Sequence, residues 1–250
     1  MILQPYVAEF IGTALLLLLG SGVVANVNLK KTIAEDQTPW LIITTAWAFS
    51  VFVGVFVSSQ SSGAHLNPAV TIGLAVAGKF SWELVGYYIL AQTLGAMCGS
   101  FLAYISYIDH YRATTDEASI RSTFCTAPAI RNFKNNLFGE AIGTFVLVFS
   151  ALMIASPVIE IEGTTVPNFG LGALDALPIA IVVWVVGLAL GGNTGYAINP
   201  ARDFGPRLVY TVLRRNNKGI DPDWSYSWIP VVGPFLGGAI AGGLYLILGM

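Results

Sequence analysis

The chain has 250 residues, 55% of them hydrophobic and only 10% charged, which leaves too little polar surface to cover a water-soluble domain of this size. Its formal net charge of −2, without a basic stripe, gives nucleic acid nothing to bind. Cys98 and Cys125 have neither metal nor disulfide-framework spacing, and no Ser-His-Asp, Cys-His or metal-ligand constellation is present, so catalysis, a metal centre and a cofactor are not expected.

Apolar stretches of about 20 residues, the length that crosses roughly 30 Å of hydrocarbon, lie near 5–26, 39–58, 81–107, 136–157, 174–192 and 227–249. They predict an all-α, multi-pass membrane protein with six spanning helices. The first span contains Glu9 and has no Lys or Arg before it, so it reads as a retained helix and not as a cleaved signal. After the second span comes Ser62-Gly63-Ala64-His65-Leu66-Asn67-Pro68-Ala69-Val70. Asn caps a helix through its side-chain oxygen, and Pro fits the first turn, where its missing N–H is not needed. The apolar run from Pro68 to Gly78 would make only ~16 Å of helix, so it dips into the bilayer without crossing.

The third span carries Gly95-x3-Gly99, a small-residue face for close helix packing. The linker 108–135 holds Asp109, His110, Arg112, Asp116, Glu117, Arg121, Arg131 and Lys134, and Cys125 lies in a polar stretch. It reads as an exposed joint, or as the wall of a vestibule. The fourth span opens on Gly139-Glu140-Ala141-Ile142-Gly143-Thr144, echoing Ala8-Glu9-Phe10-Ile11-Gly12-Thr13 in the first. Beyond the fifth span stands Thr194-Gly195-Tyr196-Ala197-Ile198-Asn199-Pro200-Ala201-Arg202, a second capped half-helix running to about Arg214. Gly233-x3-Gly237 and Gly238-x3-Gly242 mark packing faces in the last span.

Glu9 and Glu140 are separated by the same distance as Asn67 and Asn199, to within one residue. The chain is therefore a tandem repeat, about 1–107 and 136–250, within one channel-like domain. Three full spans per half is an odd number, so the second half enters from the opposite side and the repeat is inverted. The two Asn-Pro-Ala helices then point at each other. Irregular backbone before each is tolerable at that depth only against protein or a water-filled path. The charges argue against an easy orientation: with the N-terminus inside, the inner segments hold Lys79 alone, while the outer ones hold Lys30, Lys31, Arg112, Arg121, Arg131, Lys134, Arg202, Arg207, Arg214, Arg215 and Lys218.

With six spans, doubled Asn-Pro-Ala and Glu-x-x-Gly-Thr in each half, the sequence resembles the major intrinsic protein family of water and solute channels over essentially its whole length. Asn199-Pro200-Ala201-Arg202-Asp203-Phe204-Gly205-Pro206-Arg207 looks like the bacterial glycerol facilitator branch, where Asp follows the pore Arg. The resemblance implies a selectivity constriction at Trp47, Gly187, Tyr196 and Arg202. It also implies a plasma-membrane protein with both termini on the inner side and a homotetramer with a pore in each subunit. Water-selective members have His at the Gly187 position and a small residue at the Asp203 position.

On this reading Arg202 is a membrane-buried cation whose donors hold solute hydroxyls and repel cations, the competing role being an ion pair with Asp203. Trp47 and Tyr196 form an apolar wall for the solute's carbons, and the Tyr196 hydroxyl adds a polar contact beside Arg202. Asn67 and Asn199 each have an oxygen for the cap and an NH₂ for the solute. Glu9 and Glu140 are acceptors for the irregular segments, in preference to a proton relay; His65 supports those segments or lines the pore, and His110 is a loop residue. The expected function is a passive channel for small neutral solutes, chiefly glycerol with some water and undissociated lactic acid. A water-selective channel and an ion-coupled secondary transporter are the alternatives.

Overall fold

The computed structural model describes residues 3–35, 39–155, 159–161, 164–166, 170, 172–214 and 221–249. Of the positions singled out above, Arg215, Lys218 and the last residues of the 136–157 stretch lie outside them. The six spans are α1 (Pro5–Asn28), α2 (Pro39–Ser62), α4 (Trp82–Ser106), α7 (Phe133–Met153), α8 (Leu177–Leu190, led in by a 3₁₀ turn at Gly172–Ala176) and α10 (Ile229–Ile247). Pro occupies the first turn of α1, α8 and α10, where its fixed φ suits helix entry and no N–H is lost. Large apolar side chains such as Tyr87, Leu90, Val185, Ile240 and Ile247 are exposed on the outer faces of these helices, which suits a protein surrounded by hydrocarbon.

The half-helices are α3 (Pro68–Val76) and α9 (Pro200–Leu213). Their seating is crossed. Within each half the packing repeats, α1 lying on α2 and α4 as α7 lies on α8 and α10, yet α3 packs chiefly against α10 of the second half and α9 against α4 of the first. Close approach makes this possible: a Cβ on Gly205 of α9 would sit 3.0 Å from the Thr93 carbonyl oxygen of α4, and one on Gly242 of α10 would strike the Gly73 carbonyl oxygen of α3.

Two features differ from the sequence reading. The linker is not simply an exposed joint: α5 (Ile108–Ala113) and α6 (Glu117–Ser122) bury Tyr111, Ile120 and Phe124 together with Leu29 and Tyr210. Cys125 is buried with them, so its polar neighbours in sequence do not reflect its surroundings. Residues 159–161 and 164–166 form a short antiparallel hairpin, β1 and β2. Thr114, Thr123 and Thr126 are buried too, whereas on the surface Asp116 caps α6 and Arg112 bonds Asp109. His110 lies within α5, its Nδ1 3.1 Å from the Lys30 carbonyl oxygen.

Candidate functional site

Each Asn-Pro-Ala helix begins as its composition dictates. The Asn67 side-chain oxygen accepts from Ala69 N at 2.8 Å, and that of Asn199 from Ala201 N at 3.0 Å and Arg202 N at 3.2 Å. The amide nitrogens do something the sequence did not reveal. Asn67 Nδ2 donates to the Ile198 carbonyl oxygen (2.8 Å) and Asn199 Nδ2 to that of Leu66 (2.9 Å). Each amide therefore commits one N–H to the opposite half and has one further N–H.

The segments entering these helices are strained in matching fashion. Gly63, Ala64 and Leu66 have φ of 80°, 52° and 52°, and Gly195, Tyr196 and Ile198 have 78°, 37° and 42°. A left-handed non-glycine residue costs about 1–3 kcal/mol and persists only where its surroundings fix it. Here the fixing groups are two buried carboxylates. Glu9 accepts from His65 N (2.9 Å) and Leu66 N (2.7 Å), and Glu140 from Ala197 N (3.0 Å) and Ile198 N (2.8 Å). Glu9 also accepts from Ser62 Oγ and Gln92 Nε2, and Gln92 extends the network to Thr71 Oγ1, which donates to the Asn67 carbonyl oxygen. His65 Nδ1 lies 3.1 Å from Thr71 Oγ1, and its ring packs against Phe80 and Tyr88.

Three cavities follow one another through the molecule, each sharing lining residues with the next. The first, ≈ 280 Å³, is bounded by His65, Leu74, Ile179 and both Asn side chains. The middle one is only ≈ 50 Å³ and runs from Asn67 and Asn199 to Trp47, Tyr196 and Arg202. Past those three residues the path widens to ≈ 260 Å³ beside Trp40, Arg121 and Thr126.

At this neck the Arg202 guanidinium lies over the Trp47 ring, 4.1 Å from its centroid, and Trp40 meets Tyr196 edge-on at 5.8 Å. Both neck aromatics rest on glycines. A Cβ on Gly187 would sit 2.8 Å from Tyr196 Cζ, and one on Gly20 would collide with the Trp47 ring. Gly187 thus gives up its side chain to seat Tyr196, and Gly20, which sequence reasoning missed, does the same for Trp47. The Tyr196 hydroxyl is occluded and has no hydrogen-bond partner among the described residues. The hydroxyl thus makes no hydrogen bond to Arg202, although Tyr196 lines the cavities on both sides of the neck.

Asp203 does not pair with Arg202. Its carboxylate is fully buried against Arg207, at 2.7 Å and 2.9 Å, and accepts from Thr126 N and Oγ1, each at 2.7 Å. Arg207 in turn holds the carbonyl oxygens of Thr126, Pro222 and Asp223. This network pins the 124–127 and 221–223 segments to α9 around the mouth. Among the described residues no His, Cys, Asp and Glu cluster could hold a metal ion.

Residues 1–245 match the family model described as "Major intrinsic protein". The chain is 47% identical over 243 residues to a probable glycerol uptake facilitator protein of Thermotoga maritima, covering 97% of this chain and 98% of the relative. It is 39% identical over 239 residues to a D/L-lactic acid transporter of Lactiplantibacillus plantarum, covering 94% and 93%. Among solved structures, the aquaglyceroporin from Plasmodium falciparum superimposes with a TM-score of 0.79 at 29% identity, covering 96% of this chain and 94% of that one.

Proposed function

The chain belongs to the major intrinsic protein family, and from that premise we propose that it is a passive channel of the plasma membrane for small neutral solutes, chiefly glycerol. One observation carries the reading: a path runs between the halves, with Arg202 on Trp47 at its neck and both Asn side chains at its centre. An amphipathic neck of this kind suits a polyol, whose carbons lie on the aromatic faces while its hydroxyls accept from the guanidinium. The facing N-termini of α3 and α9 contribute roughly half a positive charge each and disfavour cations at the centre. The Asn N–H groups orient a passing water oxygen inward and interrupt proton hopping.

The names of two relatives support this choice of solute, and that of the third supports lactic acid as a further one. A water-selective pore fits less well, because Gly187 leaves the Tyr196 ring as the wall where an imidazole would narrow the neck. An ion-coupled transporter fits less well too, since Glu9 and Glu140 are engaged as acceptors for the strained segments. We place both termini in the cytoplasm and the Arg202 side outward, and the assembly as a homotetramer with one pore per subunit.

Stopped-flow light scattering on proteoliposomes tests the reading. Glycerol is expected to equilibrate rapidly with no ion gradient present, and flux that collapses without Na⁺ or proton gradients would overturn it.

A further inference from the structure

The widening beyond the neck is more cationic than the passage of a neutral solute requires. Its ≈ 260 Å³ are bounded by two guanidinium groups, Arg121 and Arg202, and, among the described residues, by no carboxylate. Each of four described acids nearby has a partner of its own. Asp203 is held by Arg207 and Thr126, Asp223 by Arg131 and Ser225, and Glu117 by Arg214, while Asp221 accepts from Asp223 N. Burial would raise the Asp223 carboxyl, but the Arg131 and Ser225 hydrogen bonds outweigh it and hold the group below its ordinary range, so it stays ionised and paired. Arg202 rests on the face of Trp47, and Arg121 makes a long bond, 3.3 Å, to the neutral Asp221 carbonyl oxygen. The remaining wall includes Trp40, Ile43 and Trp47 on one hand and Asn28, Ser122 and Thr126 on the other.

We propose that this vestibule is a binding site for a small monocarboxylate anion, its carboxylate shared between Arg121 and Arg202 and its short carbon chain against Trp40 and Trp47. The anion goes no further, because the ≈ 50 Å³ neck would strip its hydration without supplying a matching set of donors. While bound, it stands in the path of neutral solutes and inhibits their entry. The site depends on the vestibule's charge and not on which neutral solute passes.

The test titrates sodium lactate and sodium acetate, ionised at about pH 7.5, into the purified protein, read by tryptophan fluorescence and calorimetry. Sodium chloride and sodium sulfate at equal ionic strength are the controls. Saturable binding of both carboxylates is expected, with none for chloride or sulfate. Arg121→Gln is expected to weaken binding about tenfold, the scale of one charge-assisted hydrogen bond, and Arg121→Lys to recover part of it. In proteoliposomes, lactate should slow glycerol entry, and this slowing, relative to each protein's own flux, should shrink in the Gln variant. Absence of saturable binding, equal binding of chloride or sulfate, or unchanged affinity in folded Arg121→Gln would overturn the proposal. Because binding is read without flux, a protein that binds lactate yet passes no glycerol would refute the channel reading and leave this one standing.

Discussion

At the residue scale the neck is set by what two glycines lack. Gly187 and Gly20 seat Tyr196 and Trp47 so closely that any Cβ must move the ring it faces. Gly187→His should therefore act by driving Tyr196 across a passage of ≈ 50 Å³, and glycerol permeability in vesicles is expected to fall at least about tenfold, with water flux less affected. Gly20→Ala, a single added methyl, should lower glycerol flux through Trp47 in the same assay. Unchanged flux in folded protein would separate these rings from selectivity. Tyr196→Phe has a different expected outcome, because the hydroxyl is occluded and, among the described residues, unpartnered. Removing a buried unsatisfied hydroxyl should raise thermal stability, by ~1 kcal/mol or somewhat more, and leave the ratio of lactic acid to glycerol flux unaltered. A changed ratio would mean that the hydroxyl turns into the path during transit.

At the scale of elements, the two strained segments are held by carboxylates that accept two backbone N–H groups apiece. Glu140→Gln replaces one of those oxygens by an NH₂ and turns a hydrogen bond into a donor–donor clash. A loss of about 1–3 kcal/mol is expected, read as a lowered melting temperature together with reduced glycerol flux. Glu9→Gln should lose both as well, and a wild-type melting curve for either variant would contradict the bracing role. Much of this architecture is legible in the chain, because Asn-Pro at the head of a short apolar run announces a capped half-helix, and its repetition after Glu-x-x-Gly-Thr announces the second. The family resemblance points to Trp47, Gly187, Tyr196 and Arg202, and in the structure Trp47, Tyr196 and Arg202 line one neck with Gly187 against the Tyr196 ring. It does not reveal which surface a side chain turns to its neighbours. That is why the seat at Gly20, the occluded Tyr196 hydroxyl, the Asp203–Arg207 pair and the buried stretch around Cys125 were not apparent.

At the scale of the whole molecule, the path joins a cationic mouth to a positive centre with a narrow apolar wall between. Such a profile attracts anions to the entrance and admits neutral molecules beyond it. Lactic acid uptake is accordingly expected to follow the undissociated fraction, falling about tenfold per pH unit once pH is well above a carboxyl pKa near 4. Radiolabelled uptake into proteoliposomes between about pH 5 and pH 7 checks this; a flat profile would show that the anion itself crosses.

The crossed seating of the half-helices bears on how the protein is made. The α3 half-helix packs on α10, the sixth span in chain order, and Asn67 bonds to Ile198, which is synthesised long after it. Until the second half is in the bilayer, the strained turn at Gly63–Leu66 lacks one of its restraints and α3 lacks its bed. The first three spans can enter the membrane in order, but the dipping segment between them cannot reach its final place during its own translation. Seating of α3 therefore waits for α10, whereas α9 meets in α4 a helix made before it. Glycine positions on α10, far from the path in sequence, then bear on whether the nascent chain ever acquires a pore.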